Sequence, residues 1–218
     1  MSRHFGSRSA VWAAKRDGIR PFPHPKVRWR PPTPTPTPTP DPERPAPEAA
    51  EGVSISTVAR ITFPEHGLGE HADWALLRPE IGAGMGALSS AVYEKSQLDL
   101  REREAARWTI ALINDCVVCQ GTRAKHAGAA GIDEDFYVQV TEWRTSGDLT
   151  ERERLAAEFA FRFALDHQAM DDEFWGRVRR AYKDDEIADL TMCCGAWLGM
   201  GRMLAVLGVR APEQRLLV

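Results

Sequence analysis

The chain has 218 residues, 43% of them hydrophobic, and a net charge of −3, enough apolar content for one packed domain with or without a tail. No global charge excess points to nucleic acid or to an anionic membrane. The N-terminus lacks an apolar secretory segment, and the longest uncharged apolar-rich run, Leu190–Gly201, has twelve residues, short of the about 20 that span a bilayer, so the chain reads as soluble and cytoplasmic.

Residues 1–50 carry nine Lys/Arg against four Asp/Glu, whereas the remainder carries nineteen against twenty-seven. Twelve of the fifteen prolines fall in the same N-terminal stretch, including Pro31-Pro32-Thr33-Pro34-Thr35-Pro36-Thr37-Pro38-Thr39-Pro40. Proline has no N–H to give a helix or sheet, so the run favours extended polyproline II. Residues 1–52 therefore read as a disordered, basic, proline-rich extension. Residues 53–218 read as one helical domain, with a weak strand signal near Val53–Ile61.

From Pro79 the pattern is helical. Pro79 suits a first helical turn, and the helix it opens runs to about Glu94. Asp99 with Glu102 has capping-box spacing and starts a helix to about Ile113. Asn114-Asp115 is expected to cap a helix running from Cys116 to Ala130, with Gly131 as its stop. Asp133 opens a helix ending near Trp143, before the breaker Thr145-Ser146-Gly147-Asp148. Thr150 and Glu153 form a second capping box. Asp171 and Asp184 start the last two helices, the final one with Ile187, Leu190, Cys194, Trp197, Leu198, Gly201 and Leu204 at helical spacing. The fold class is all-α.

The chemistry centres on Cys116-Val117-Val118-Cys119. In a reducing compartment such a pair is redox-active or metal-binding more often than a staple. Zinc wants four ligands, and the remaining cysteines, Cys193 and Cys194, are adjacent and sit mid-helix among apolar residues, where free cysteine acts as a small hydrophobe. A metal or an organic cofactor is not expected. The reactive species is the thiolate. An ordinary thiol, with a pKa near 8.5, is only about 3% ionised at pH 7. A helix start contributes about 0.3–1 kcal/mol toward ionisation, so a nearby cation matters. On a continuous helix Cys116, Cys119, Arg123 and His126 share one stripe, and Arg123 lies one turn from Cys119.

Glu104 lies twelve residues before Cys116, in an apolar stripe with Leu100, Trp108 and Ala111. A carboxylate there needs a partner or a task. With a raised pKa it could relay a proton from a thiol; the simpler alternative is an i,i+3 pair with Arg101 or Arg107.

Leu100-Arg101-Glu102-Arg103-Glu104, Asn114-Asp115-Cys116-Val117-Val118-Cys119 and Ala127-Gly128-Ala129-Ala130-Gly131 together resemble the signature of the carboxymuconolactone decarboxylase/AhpD-like (alkylhydroperoxidase D-like) superfamily. Leu149–Leu155 and Asp184–Leu190 resemble it as well, so the likeness covers roughly residues 64–209. The resemblance implies an AhpD-like helical bundle that assembles as a homo-oligomer, a trimer, dimer or hexamer. It implies a peroxiredoxin-type cycle in which Cys119 attacks a small peroxide, Cys116 resolves the product to a disulfide and an external dithiol resets the pair. Glu104 matches the family's relay glutamate. The relay histidine falls on Arg123, which cannot give up a proton, leaving His126 as the candidate replacement. Two other readings stand beside this one. A decarboxylase-like lyase acting on a small carboxylated lactone would use Arg123 and His126 and leave the cysteines idle. A non-catalytic oligomeric binding protein would use the cysteines only as an occasional switch.

Overall fold

The computed structural model describes residues 55–56 and 59–210. Contacts within the chain divide it at Glu48/Ala49, and everything described here belongs to the second unit. The N-terminal extension expected over 1–52 lies outside the described residues.

The described residues form an α-helical bundle. Two-residue strands, β1 (Ile55–Ser56) and β2 (Phe63–Pro64), pair antiparallel, so the weak strand signal marks half of one small ladder. There follow α1 (Glu70–Asp73), a 3₁₀ turn, α2 (Pro79–Glu94), α3 (Leu100–Ile113), the short α4 (Val117–Gly121), α5 (Glu134–Thr141), α6 (Glu151–Leu165), α7 (Asp172–Ala181) and α8 (Asp184–Leu207).

The caps read from sequence account for most of these boundaries. Asp133 accepts from the Phe136 N–H and Asp171 from the Phe174 N–H. Thr150 and Glu153 close a complete capping box, which satisfies two otherwise orphaned backbone donors. The box expected at Asp99/Glu102 does not close. Asp99 caps α3 through the Arg101 N–H, while Glu102 is drawn into a bidentate pair with Arg152 (2.6 and 2.9 Å), because a guanidinium fork is a stronger partner for a carboxylate than one peptide N–H.

α3 is the central helix. It packs chiefly against α6 and α8 and buries ten consecutive residues, Glu102 to Ala111. One core layer joins Ile110, Phe159, Phe174, Leu190, Cys194 and Trp197. A second joins Trp108, Ile132, Phe136, Tyr137 and Val140. Cys193 and Cys194 are fully buried in the first layer, as expected of small hydrophobes; burial pushes the Cys193 thiol up to about 12 and the Cys194 thiol well above its ordinary value. By length and composition α8 is apolar enough to cross a membrane, yet one side of it, Leu190, Cys193, Cys194, Ala196, Trp197 and Gly201, is protein core.

Candidate functional site

The chain leaves α3 through Asn114 and Asp115. Asp115 takes the left-handed conformation (φ 49°), tolerated by a short polar side chain, and so turns the backbone sharply into the cysteine segment. Cys116 is the N-cap of α4: its sulfur accepts the Cys119 N–H at 3.2 Å. Cys116 and Cys119 are joined as a disulfide with Cα atoms 5.3 Å apart. Cys116 is 1% exposed, whereas Cys119 is half-buried. The helix-start hydrogen bond thus serves the first sulfur, and access favours the second. The pair sits in a small apolar cluster with Val118, Trp74, Leu204, Leu207 and Val209. A cavity of about 240 Å³ opens beside Cys116, between Asp115 and Val117 on one side and Leu204, Gly208 and Val209 on the other.

The helix expected from Cys116 to Ala130 ends at Gly121. Thr122 is extended (φ −81°, ψ 142°), and its hydroxyl donates to the Val118 carbonyl (3.0 Å), a local bond that competes with helix continuation. Two arginines take the carbonyls at this end. Arg107 donates to the Cys119 (2.8 Å) and Thr122 (3.3 Å) carbonyls, and Arg123 donates to those of Gln120 (2.7 Å) and Thr122 (2.8 Å). Gly131 is a left-handed stop (φ 64°), but for a separate 3₁₀ turn, Gly128–Ala130.

With the helix broken, the common stripe of Cys116, Cys119, Arg123 and His126 does not form. Arg123 makes a bidentate pair with Glu134 (3.0 and 2.9 Å), and its guanidinium lies 4.3 Å from the Tyr137 ring centroid and 5.2 Å from that of Trp108. It braces the turn after the cysteines and makes no ion pair or hydrogen bond with Cys119. His126 is exposed in the following turn.

Glu104 is fully buried. Arg107 grips both its oxygens at 2.8 Å, and the Tyr137 hydroxyl donates to one of them at 2.9 Å. Burial alone would push this carboxyl up; the Arg107 charge and hydrogen bonds, with the Tyr137 hydrogen bond, outweigh it and hold the carboxyl below its ordinary value. This corrects the expectation of a raised pKa. Glu104 is a fixed anion, and Tyr137, with burial and that anion beside it, is held protonated. The i,i+3 pair with Arg107 is the alternative that the sequence offers; its burial, and Arg107's reach to the Cys119 carbonyl, are set by packing. A second arginine three residues after a stripe glutamate was the available signal.

On the other side of the disulfide stands α8. A methyl group at Gly201 would lie 2.7 Å from Asn114 Nδ2 and 3.2 Å from Cys119 Sγ, so glycine is what lets the cysteine turn rest directly on the helix. Asn114, itself buried, donates from Nδ2 to the α8 carbonyls of Leu198 (3.1 Å) and Trp197 (3.3 Å). Asn114 was expected to cap the cysteine helix, but it is the C-cap of α3 and Cys116 takes the N-cap place; Gly201 did not stand out in the sequence as part of the site.

Residues 79–162 match the carboxymuconolactone decarboxylase family. The fold is similar to that of a protein of unknown function from Agrobacterium tumefaciens that carries the AhpD name (24% identity over 65% of this chain and 97% of that one, TM-score 0.57). It is also similar to a peroxidase-related protein with an alkylhydroperoxidase AhpD core from Ralstonia eutropha (19% identity, 65% and 75% coverage, TM-score 0.54). A third similar structure is the debrominase Bmp8 bound to 2,3,4-tribromopyrrole (15% identity, 66% and 76% coverage, TM-score 0.57). No curated protein matches the sequence.

Proposed function

Residues 79–162 match the carboxymuconolactone decarboxylase family and the fold is AhpD-like; on that basis we propose that the chain is a thiol-dependent peroxidase or disulfide oxidoreductase working through Cys116 and Cys119. The observation that carries this reading is the pair itself: two sulfurs bonded across one turn, the second half-buried and the first under cover. In the reduced protein the Cys119 thiolate attacks a peroxide oxygen. The S–O bond forms, the O–O bond breaks, and the alcohol or water leaves with a proton from solvent, giving a sulfenic acid. The Cys116 thiolate then attacks the Cys119 sulfur, the disulfide forms and hydroxide leaves as water, the reversible rung of cysteine oxidation. The two electrons come from the thiols. An external dithiol restores them by exchange, attacking the more accessible sulfur, Cys119.

The ionised Glu104 takes no proton-relay part here. Its work, with Arg107, is to hold the end of α4. The lyase reading needs an anion clamp, and the residue it relies on, Arg123, has its guanidinium engaged by Glu134 and two carbonyls. Titrating free thiols before and after one equivalent of peroxide per chain tests the proposal. Loss of two thiols per chain, recovered with dithiothreitol, is the expected result; retention of all of them removes the peroxidase reading.

The same reading includes a homo-oligomer. α2 buries only Val92, leaving Ile81, Ala83, Ala87 and Leu88 exposed with no charge between Glu80 and Glu94. Beside it, α8 exposes Met192, Gly195, Gly199 and Val206. Exposed apolar residues on two neighbouring helices, with Arg202 among them on α8, suit an interface, and a second copy of the chain is the proposed occupant. Leu88→Glu should lower the mass measured by light scattering. A wild-type protein that is already monomeric argues against this assembly.

A further inference from the structure

Arg123 points elsewhere and the helix-start N–H serves Cys116, which leaves open what holds a Cys119 thiolate. The charged groups around the turn do not fill the role. Arg107 reaches from α3 to the Cys119 carbonyl, but Glu104 neutralises it. Arg123 is bound to Glu134, Asp115 is an exposed anion, and Arg202, after Gly201 on α8, is exposed. Among the described residues none of these forms a hydrogen bond to Cys119 Sγ.

One polar side chain is at hand. Asn114 Nδ2 and Cys119 Sγ both crowd the same point over Gly201, at 2.7 and 3.2 Å. Asn114 is 8% exposed, and its Oδ1 is buried with no hydrogen-bond partner, so the amide is pinned through its nitrogen alone. The two carbonyls it bonds, Trp197 and Leu198, lie inside α8, where the N–H groups four residues on also serve them. Turning one amide hydrogen away orphans neither. We propose that in the reduced protein the Asn114 side-chain amide donates to the Cys119 sulfur and is the group that holds its thiolate, and that it returns to the α8 carbonyls when the disulfide forms. Gly201 is the residue that permits this approach. The inference rests on the thiol-redox reading given above, since it supplies that reading with its missing thiolate partner.

A hydrogen bond to an anion has a free energy comparable to about one unit of thiol pKa or somewhat more. In reduced full-length protein, with iodoacetamide alkylation of Cys119 followed across pH by peptide mass, Asn114→Ala should move the midpoint up by about one unit. Asn114→Asp, which puts a carboxylate beside the sulfur, should move it further. An Asn114→Ala protein that folds and keeps the wild-type midpoint overturns the proposal. A second measurement needs no substitution. In reduced wild-type protein the Asn114 side-chain amide proton resonances should titrate with the Cys119 midpoint, and resonances that stay still across it overturn the proposal equally. The two readings fail separately. Thiols that ignore peroxide while the amide tracks Cys119 sink the peroxidase reading and support this one. Peroxide consumption with an unmoved amide does the reverse.

Discussion

Cys119→Ser is expected to leave the protein inert toward stoichiometric peroxide, whereas Cys116→Ser should still react once and stop. The asymmetry follows from burial. Cys119 is half-buried and Cys116 is 1% exposed, so removing Cys119 removes the more exposed sulfur of the pair. In Cys116→Ser the attack proceeds, but no neighbouring thiol captures the product, and a sulfenic acid accumulates at Cys119. Labelling with a dimedone-type reagent and intact mass distinguish the two variants. The competing order is chemically sensible, because Cys116 holds the N-cap position and receives the Cys119 N–H, an arrangement that stabilises an anion at the first sulfur. If Cys119→Ser forms the sulfenic acid and Cys116→Ser does not, the assignment of attacking and resolving sulfurs is reversed. Cys193 and Cys194 should contribute nothing to either trace, since burial holds both thiols protonated.

Arg107→Ala should destabilise the fold by about 3–5 kcal/mol, the usual cost of leaving one member of a buried ion pair alone. It strands the Glu104 carboxylate at 0% exposure and removes the guanidinium's bond to the Cys119 carbonyl, while the Thr122 carbonyl keeps its bond from Arg123. Arg107→Lys should recover only part of the loss, because an ammonium cannot reproduce the fork that spans two carboxylate oxygens and two carbonyls. Denaturant midpoints at neutral pH measure both; an Arg107→Ala protein within 1 kcal/mol of wild type (about the cost of an ordinary hydrogen bond) would rule out this pair as a keystone of the site. The pH dependence has a definite sign. Glu104 is held below its ordinary value in the folded chain, so the native state binds fewer protons there than the unfolded state. The stability this contributes is present in full above the unfolded carboxyl pKa of about 4.3 and is lost as pH falls through the lower folded value. The stability gap between wild type and Glu104→Gln should therefore be flat from pH 7 to about 5 and narrow only in stronger acid.

The one-dimensional pattern was sufficient wherever the physics is local. Asp133, Thr150 and Asp171 cap the helices they precede because a short polar side chain meets a backbone N–H two or three residues on, an arrangement independent of the rest of the chain. The CxxC pair, the all-α class and the burial of Cys193 and Cys194 were legible for similar reasons: spacing and periodicity carry them. What failed was whatever depended on groups distant in sequence. The helix through Cys116–Ala130 reads as continuous because each residue tolerates one; it stops at Gly121, where Thr122 bonds back to the Val118 carbonyl and Arg107 arrives from α3 to take the Cys119 carbonyl. That break dissolved the stripe on which Arg123 and His126 had been given work. Glu104 read as a proton carrier from its apolar surroundings, but the direction of its shift was decided by a guanidinium and a tyrosine brought against it by packing. The contact of Gly201 with Asn114 and Cys119 spans more than eighty residues of chain. Sequence alone determined most of the helices and the cysteine pair, since both are written in neighbouring residues. Which charges and amides surround that pair was decided only in three dimensions, because hydrogen bonds and ion pairs depend on proximity in space, which folding sets for residues far apart along the chain.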